Sequence, residues 1–256
     1  MTMSTCRPSC GTDRTGPGSV PLTVRVRRVT TTRSGGVSAP PFDSFNLGDH
    51  VGDDPAAVRT NRARLASAIG LTEDRLVWMN QIHGDHVEAV RGPGTGPLEA
   101  TDALVTAAPR LALVVVTADC VPVLMADAGA GVVGAAHAGR VGAAAGIALR
   151  TVEAMVAAGA RMGEISVLLG PAVSGANYEV PEEMAADIEA RLPGSRTTTS
   201  RGTPALDLRA GLARQLAEAG VGPIDVDPRC TVADRTLYSH RRDGLTGRLA
   251  SLVWME

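Results

Sequence analysis

The chain has 256 residues, of which 44% are hydrophobic and 20% charged, and its formal net charge is −2. That length supports a sizeable buried core, and the charge balance gives no reason to expect a nucleic-acid or membrane partner. Every basic side chain except the histidines is arginine, and no lysine occurs, so Schiff-base and P-loop lysine chemistry are excluded.

Residues 1–21 are rich in Ser, Thr, Gly and Pro and read as a disordered leader, leaving 22–256 as one domain. The leader holds no apolar stretch of the ~7–15 residues a secretory signal needs, and no run reaches the ~20 of a membrane span. Cys6 and Cys10 fall in this leader and are not spaced as a CxxC pair. A cytoplasmic location is expected.

Val24, Val26 and Val29 predict a first strand, followed by a loop over Thr32–Ser38. A helix is expected from Pro55, with Asp54 as N-cap, an apolar face of Ala57, Val58, Leu65, Ala68 and Ile69, and Gly70 as terminator. Leu76–Met79, Ala103–Thr106, Leu111–Val116, Val121–Ala126 and Gly131–Ala136 are short apolar runs between turn residues and predict strands. Several are apolar throughout, as strands covered on both faces are. A helix over Val141–Ala158, a strand over Ile165–Leu169, helices over Pro181–Arg191 and Leu206–Glu218, and a last strand over Arg248–Trp254 complete the pattern. The elements do not alternate strictly as βαβ, so a layered α+β fold with mixed sheets flanked by helices is expected.

Three borderline metal ligands each stand just past a predicted strand: His83 in Gln81-Ile82-His83-Gly84, Cys120 in Ala118-Asp119-Cys120-Val121-Pro122, and His137 in Ala136-His137-Ala138-Gly139. Strand ends are rigid and can converge on one point. The intervals of 36 and 16 residues between the members match no compact zinc finger, so the spacing by itself leaves the site open.

Further motifs follow in order: Arg33-Ser34-Gly35-Gly36-Val37-Ser38, Asn46-Leu47-Gly48 through Asp53, Gly170-Pro171, Tyr178-Glu179-Val180, Asp207-Leu208-Arg209, Cys230-Thr231, and Tyr238-Ser239-His240-Arg241-Arg242-Asp243-Gly244 through Arg248. With the three ligand segments, this text resembles the YfiH/YlmD family, also called peptidoglycan editing factor or polyphenol-oxidase-like laccase. The resemblance spans about Val24 to Trp254. It departs where the family has Trp-Arg-Gly after His-Ala-Gly, since this chain reads Arg140-Val141-Gly142, and where the family often has a cysteine near the position of Asn177.

The resemblance implies a zinc ion held by His83, Cys120 and His137, phosphorolysis of adenosine, inosine or methylthioadenosine, and deamination of adenosine. Purine nucleoside and phosphate are then the expected partners. Cys120 is also a candidate catalytic residue. Asp119, the neighbouring carboxylate, is a candidate for proton transfer at the purine or for orienting a ligand. Phosphate in a lysine-free chain needs arginines or backbone N–H groups, and Arg33, Ser34, Asn46, Arg140, Arg241 and Arg242 are the motif residues that suit it. Three other readings compete. A cysteine hydrolase or amidase acting on peptidoglycan precursors would use Cys120 as nucleophile with His137 or His83 as base, without metal. A single copper would also suit a His2Cys set, although five histidines are few for a multicopper cluster. A catalytically silent binding protein is the third.

Overall fold

The computed structural model describes residues 24–94 and 96–256; the expected leader, with Cys6 and Cys10, lies outside them. In chain order the elements are β1 (Val26–Thr30), α1 (Pro55–Ala68), β2 (Leu76–Val77), β3 (Val87–Ala89), β4 (Ala103–Thr106), β5 (Ala112–Thr117), β6 (Val121–Asp127) and β7 (Val132–Ala138). There follow α2 (Arg140–Ala144), α3 (Ile147–Ala157), β8 (Ser166–Leu169), α4 (Glu182–Arg191), β9 (Arg196–Thr198), β10 (Pro204–Leu206), α5 (Leu208–Glu218), β11 (Ile224–Val226), α6 (His240–Asp243) and β12 (Leu249–Met255).

The strands form a four-stranded sheet in the order β1-β12-β5-β2, a six-stranded sheet in the order β11-β8-β6-β7-β4-β3, and a small β9-β10 ladder. Both large sheets are mixed: β2 runs parallel to β5, β3 to β4 and β11 to β8, while the other pairs are antiparallel.

Period-two alternation places each strand residue in one of two cores. On β5, Leu113 and Val115 join Leu124 and Ala126 of β6 and Val133 and Ala135 of β7 between the sheets. Ala112 and Val114 point the other way, against Leu65 and Ala66 of α1. On the far side, Val123 and Met125 of β6 meet Ile147, Val152 and Met155 of α3 and Leu212 and Leu216 of α5. The layers are therefore helix, sheet, sheet, helices, and the expected α+β fold is the one found. The apolar-throughout runs are the strands with a core on each face.

Helix α1 begins as expected, with Pro55 in its first turn and the Asp54 carboxylate accepting from Ala56 N at 2.9 Å. The helix expected over Val141–Ala158 is two helices, because Gly146 turns left-handed (φ +85°) between them. The expected start of the fifth helix moves too. Leu206 pairs with Arg196 in the β10-β9 ladder, and Asp207 instead caps α5 by accepting from Ala210 N. Among the described residues no helix is long and apolar enough to cross a membrane.

Candidate metal centre and active-site cleft

Strand β5 ends at Thr117 in one sheet, and β6 begins at Val121 in the other. Ala118, Asp119 and Cys120 are the corner between the sheets. His137 is the last inward-facing residue of β7, next to Cys120 because it pairs with Pro122 across the ladder. His83 comes from the loop between β2 and β3. That loop is fixed to the end of β5 by Gln81, whose side-chain amide both donates to Val116 O and accepts from Val116 N at 2.8 Å.

These elements bring the three candidate ligands together, with one donor atom of each within 4.8 Å of the others. A tetrahedral ion with bonds of ~2.0–2.3 Å holds its ligands about 3.4–3.6 Å apart, so modest closure suffices. The approach depends on Gly139: a Cβ there would lie 2.8 Å from His83 Cδ2 and 3.1 Å from Cys120 Sγ. His83 and Asp119 take positive φ of 63° and 100°, a costly conformation for residues with a Cβ that persists where surrounding contacts enforce it.

The enforcing group beside His83 is Asp102, which sequence reasoning missed. Its carboxylate is fully buried. It accepts from the backbone N–H of Ile82, His83 and Gly84 at 3.2, 3.0 and 2.7 Å, and it lies 2.9 Å from His137 Nδ1. One carboxylate therefore holds the backbone of one candidate ligand and the ring of another. Burial pushes its pKa up, but the bonds from His137 and the backbone amides outweigh this and hold it below the usual carboxylate range. An ionised Asp102 makes His137 Nδ1 the proton-bearing nitrogen and leaves Nε2 as the lone pair free to bind a metal. The sequence signal was faint: an acidic residue just before a strand, with partners that are remote in sequence.

The titration of the metal-free trio follows from the same contacts. Burial raises the Cys120 pKa, but His137 and His83 outweigh it and draw the thiol down to about 6. Burial lowers His137, but the Cys120 sulfur and Asp102 outweigh it and raise the imidazole to about 9. At neutral pH the apo pair is thus a thiolate beside an imidazolium.

The trio opens into a cleft of about 320 Å³, also lined by His50, Thr117, Asp119, Arg140, Tyr178, His240, Arg241 and Arg248. Asp119 makes no hydrogen bond to either candidate histidine among the described residues. Its carboxylate accepts from Thr231 Oγ1, Ser239 Oγ and Arg241 N at 2.6–2.7 Å, which ties the corner carrying Cys120 to the C-terminal segment. Arg241 also stacks on Tyr178, with its guanidinium carbon 5.0 Å from the ring centroid, and donates to Glu179 O.

Of the six residues expected to suit phosphate, Arg140 and Arg241 line the cleft, and Arg33, Ser34, Asn46 and Arg242 do not. Arg33 is engaged by Asp43 and the Tyr238 ring. Ser34 is exposed in its loop. Asn46 is buried and bonds Gly48, Asp53 and Arg248 N. Arg242 donates to the carbonyls of Thr231, Val232, Asp234 and Leu237 and pairs with Asp243. Arg248, which the sequence reading placed only within a motif, does line the cleft. Its guanidinium donates to Thr246 O and Gly247 O.

Residues 27–256 match the family model described as multi-copper polyphenol oxidoreductase laccase. The chain belongs to this family. Among solved structures of the family's fold, YlmD from Geobacillus stearothermophilus superposes with a TM-score of 0.86 at 35% identity, covering 93% of this chain and 94% of that one. The hypothetical protein YfiH from Bacillus licheniformis gives 0.85 at 34% identity, covering 90% and 93%. A Mycobacterium tuberculosis protein named purine nucleoside phosphorylase is 70% identical over 235 residues, 92% of this chain and 94% of its own. A Corynebacterium glutamicum protein of the same name is 57% identical over 232 residues, covering 90% and 94%. The family resemblance seen in the sequence motifs is thereby established.

Proposed function

We propose that the cleft is the active site of a zinc-dependent purine nucleoside enzyme. Its main reaction is phosphorolysis of adenosine, inosine or methylthioadenosine, and deamination of adenosine takes place at the same site. The carrying observation is the meeting in one cleft of a His-Cys-His trio with three arginines that have no carboxylate partner. The ion pairs among the described residues engage other arginines, not Arg140, Arg241 or Arg248. Unpaired guanidinium groups suit an anion such as phosphate. The names of the curated relatives supply the substrate class.

The trio fits zinc: two imidazoles and a thiolate are borderline-soft donors, and three protein ligands leave a position for water or substrate. When bound, such an ion supplies Lewis acidity and lowers the pKa of a water it holds. Asp102 fixes the His137 tautomer and the His83 loop. Arg140 and Arg241 orient phosphate, and Asp119 keeps Arg241 in place. In the transfer, a phosphate oxygen bonds to C1′ of the ribose as the C1′–N9 bond breaks, and the phosphate proton ends on the departing purine. Among the described residues Cys120 and Cys230 form no disulfide, as expected of a protein kept in a reducing cytoplasm.

A second reading, a metal-independent cysteine hydrolase acting on peptidoglycan precursors, has one observation in its favour. Cys120, His137 and Asp102 stand in the order nucleophile, base and orienting carboxylate, with the thiol drawn down to about 6. A multicopper oxidase has less support, since the described residues contain a single group of side chains that could hold a metal. Chelation separates these readings. A nucleoside enzyme of the proposed kind loses phosphate-dependent purine release and ammonia release on chelation and regains both with zinc. A cysteine hydrolase is indifferent to chelator and stops on thiol alkylation, and that result would refute the proposal.

A further inference from the structure

Most buried threonines in this fold have a visible partner. Thr106 donates to Val90 O, Thr151 to Ile147 O and Thr231 to Asp119. Thr117 is 2% exposed, and its Oγ1 makes no hydrogen bond to any described residue. A bare buried hydroxyl is destabilising and calls for an explanation. Thr246 shares this condition but stands outside the cleft, whereas Thr117 lines it.

Strand alternation shows where the Thr117 side chain points. Leu113 and Val115 of β5 fill the space between the sheets, and Thr117 is the next residue on that face. Val133 and Ala135 of β7 fill the same space from the opposite sheet, and His137 is the next residue there. The polar ends of two facing apolar rows thus both line the cleft at the mouth of the sandwich. One bears a candidate metal ligand, and the other bears a hydroxyl with both a donor and an acceptor to offer.

We infer that Thr117 is a substrate-binding residue whose hydroxyl exchanges a hydrogen bond with the nucleoside. The inference rests on the nucleoside reading above. The arginines serve the anion, and the neutral hydroxyl serves the uncharged partner, whose ribose and purine present both donors and acceptors.

Thr117→Val removes the hydroxyl while keeping the β-branched shape, and Thr117→Ser keeps the hydroxyl. Wild type and both variants are assayed together for KM towards nucleoside and towards phosphate, kcat, bound zinc and Tm. The valine variant is expected to raise the nucleoside KM about 3- to 10-fold, the value of one neutral hydrogen bond. Its kcat and phosphate KM stay within about twofold, as for lost uniform binding. Its zinc content is unchanged, and its Tm is equal or higher, because an unpaired buried hydroxyl has been removed. The serine variant stays within about twofold of wild type in nucleoside KM. A valine variant with wild-type nucleoside KM overturns the inference. So does a rise in phosphate KM instead, or a fall in Tm that reveals a protein partner for the hydroxyl. A wild type inert towards nucleosides overturns the nucleoside reading and this inference together, so it is distinguishable from failure of the inference alone.

Discussion

The two walls of the cleft are each organised by one aspartate, and they are built differently. On the His-Cys-His wall, Asp102 is fully buried and reaches His137 Nδ1 and three consecutive backbone amides. Two of its three candidate ligands sit on or beside central strands. On the arginine wall, Asp119 is half-buried and gathers two hydroxyls and one amide from the segment around the four-residue helix α6. The first wall has the rigidity that a metal site demands. The second, around Arg241, is a short helix and its flanking loops pinned at one carboxylate, suited to a charged ligand that tolerates small displacements. Fixed geometry and adaptable charge are thus separated across one cleft.

The largest expected effect tests the first wall by pH. In the metal-free protein Cys120 titrates near 6 and His137 near 9. Between these values the thiolate is already formed, and the His137 imidazolium must lose its proton to bind a metal. Zinc affinity should therefore rise with pH across the neutral range and level off once the His137 imidazolium has lost its proton. Competition with a chromophoric chelator across that range measures it; a flat profile would show that the two groups are not coupled as described.

Arg241→Ala probes the second wall. It should raise the KM for phosphate about 10- to 100-fold, the value of charge-assisted hydrogen bonds, while bound zinc is retained. Asp102→Asn should weaken zinc binding about 10- to 100-fold. An asparagine cannot accept from the backbone amides and also accept the Nδ1 proton without turning an NH2 group towards one of them. Asp119→Asn is the matched control: zinc binding is unchanged, and the phosphate KM rises about 3- to 10-fold. If the two variants exchange phenotypes, the division of labour between the walls is wrong. Arg242→Ala gives the smallest effect on turnover, because this side chain lies outside the cleft. Its loss should instead destabilise the fold by about 1–3 kcal/mol, as the carbonyls it serves lose their donor, and thermal denaturation reads this directly.

What could be read from the sequence follows how local each signal is. The central strands were legible because a core on each face leaves an uninterrupted apolar run, as in Leu111–Val116. The edge strands β3, β9 and β11, of three residues each, carry too few residues for a period to show. Gly146 broke a helix that its apolar flanks had joined. In the site, His83, Cys120 and His137 stood out by residue type and by their places after strands. Asp102 did not, because its significance lies in four partners 18 to 35 residues away in the chain. The arginines of the shared motifs divided only in three dimensions. Arg242 turned to backbone carbonyls and Arg33 to Asp43, while Arg140, Arg241 and Arg248 turned to the cleft.

The proposed nucleoside chemistry depends on one metal held by the trio. The most direct test is elemental analysis of chelator-treated, zinc-reloaded wild type and Cys120→Ala, paired with purine release from adenosine and inosine in the presence of phosphate. About one zinc per chain in the wild type, absent from the variant together with turnover, is the predicted result. A wild type that binds no metal and is inert towards nucleosides would contradict it and transfer Cys120 to the role of hydrolase nucleophile.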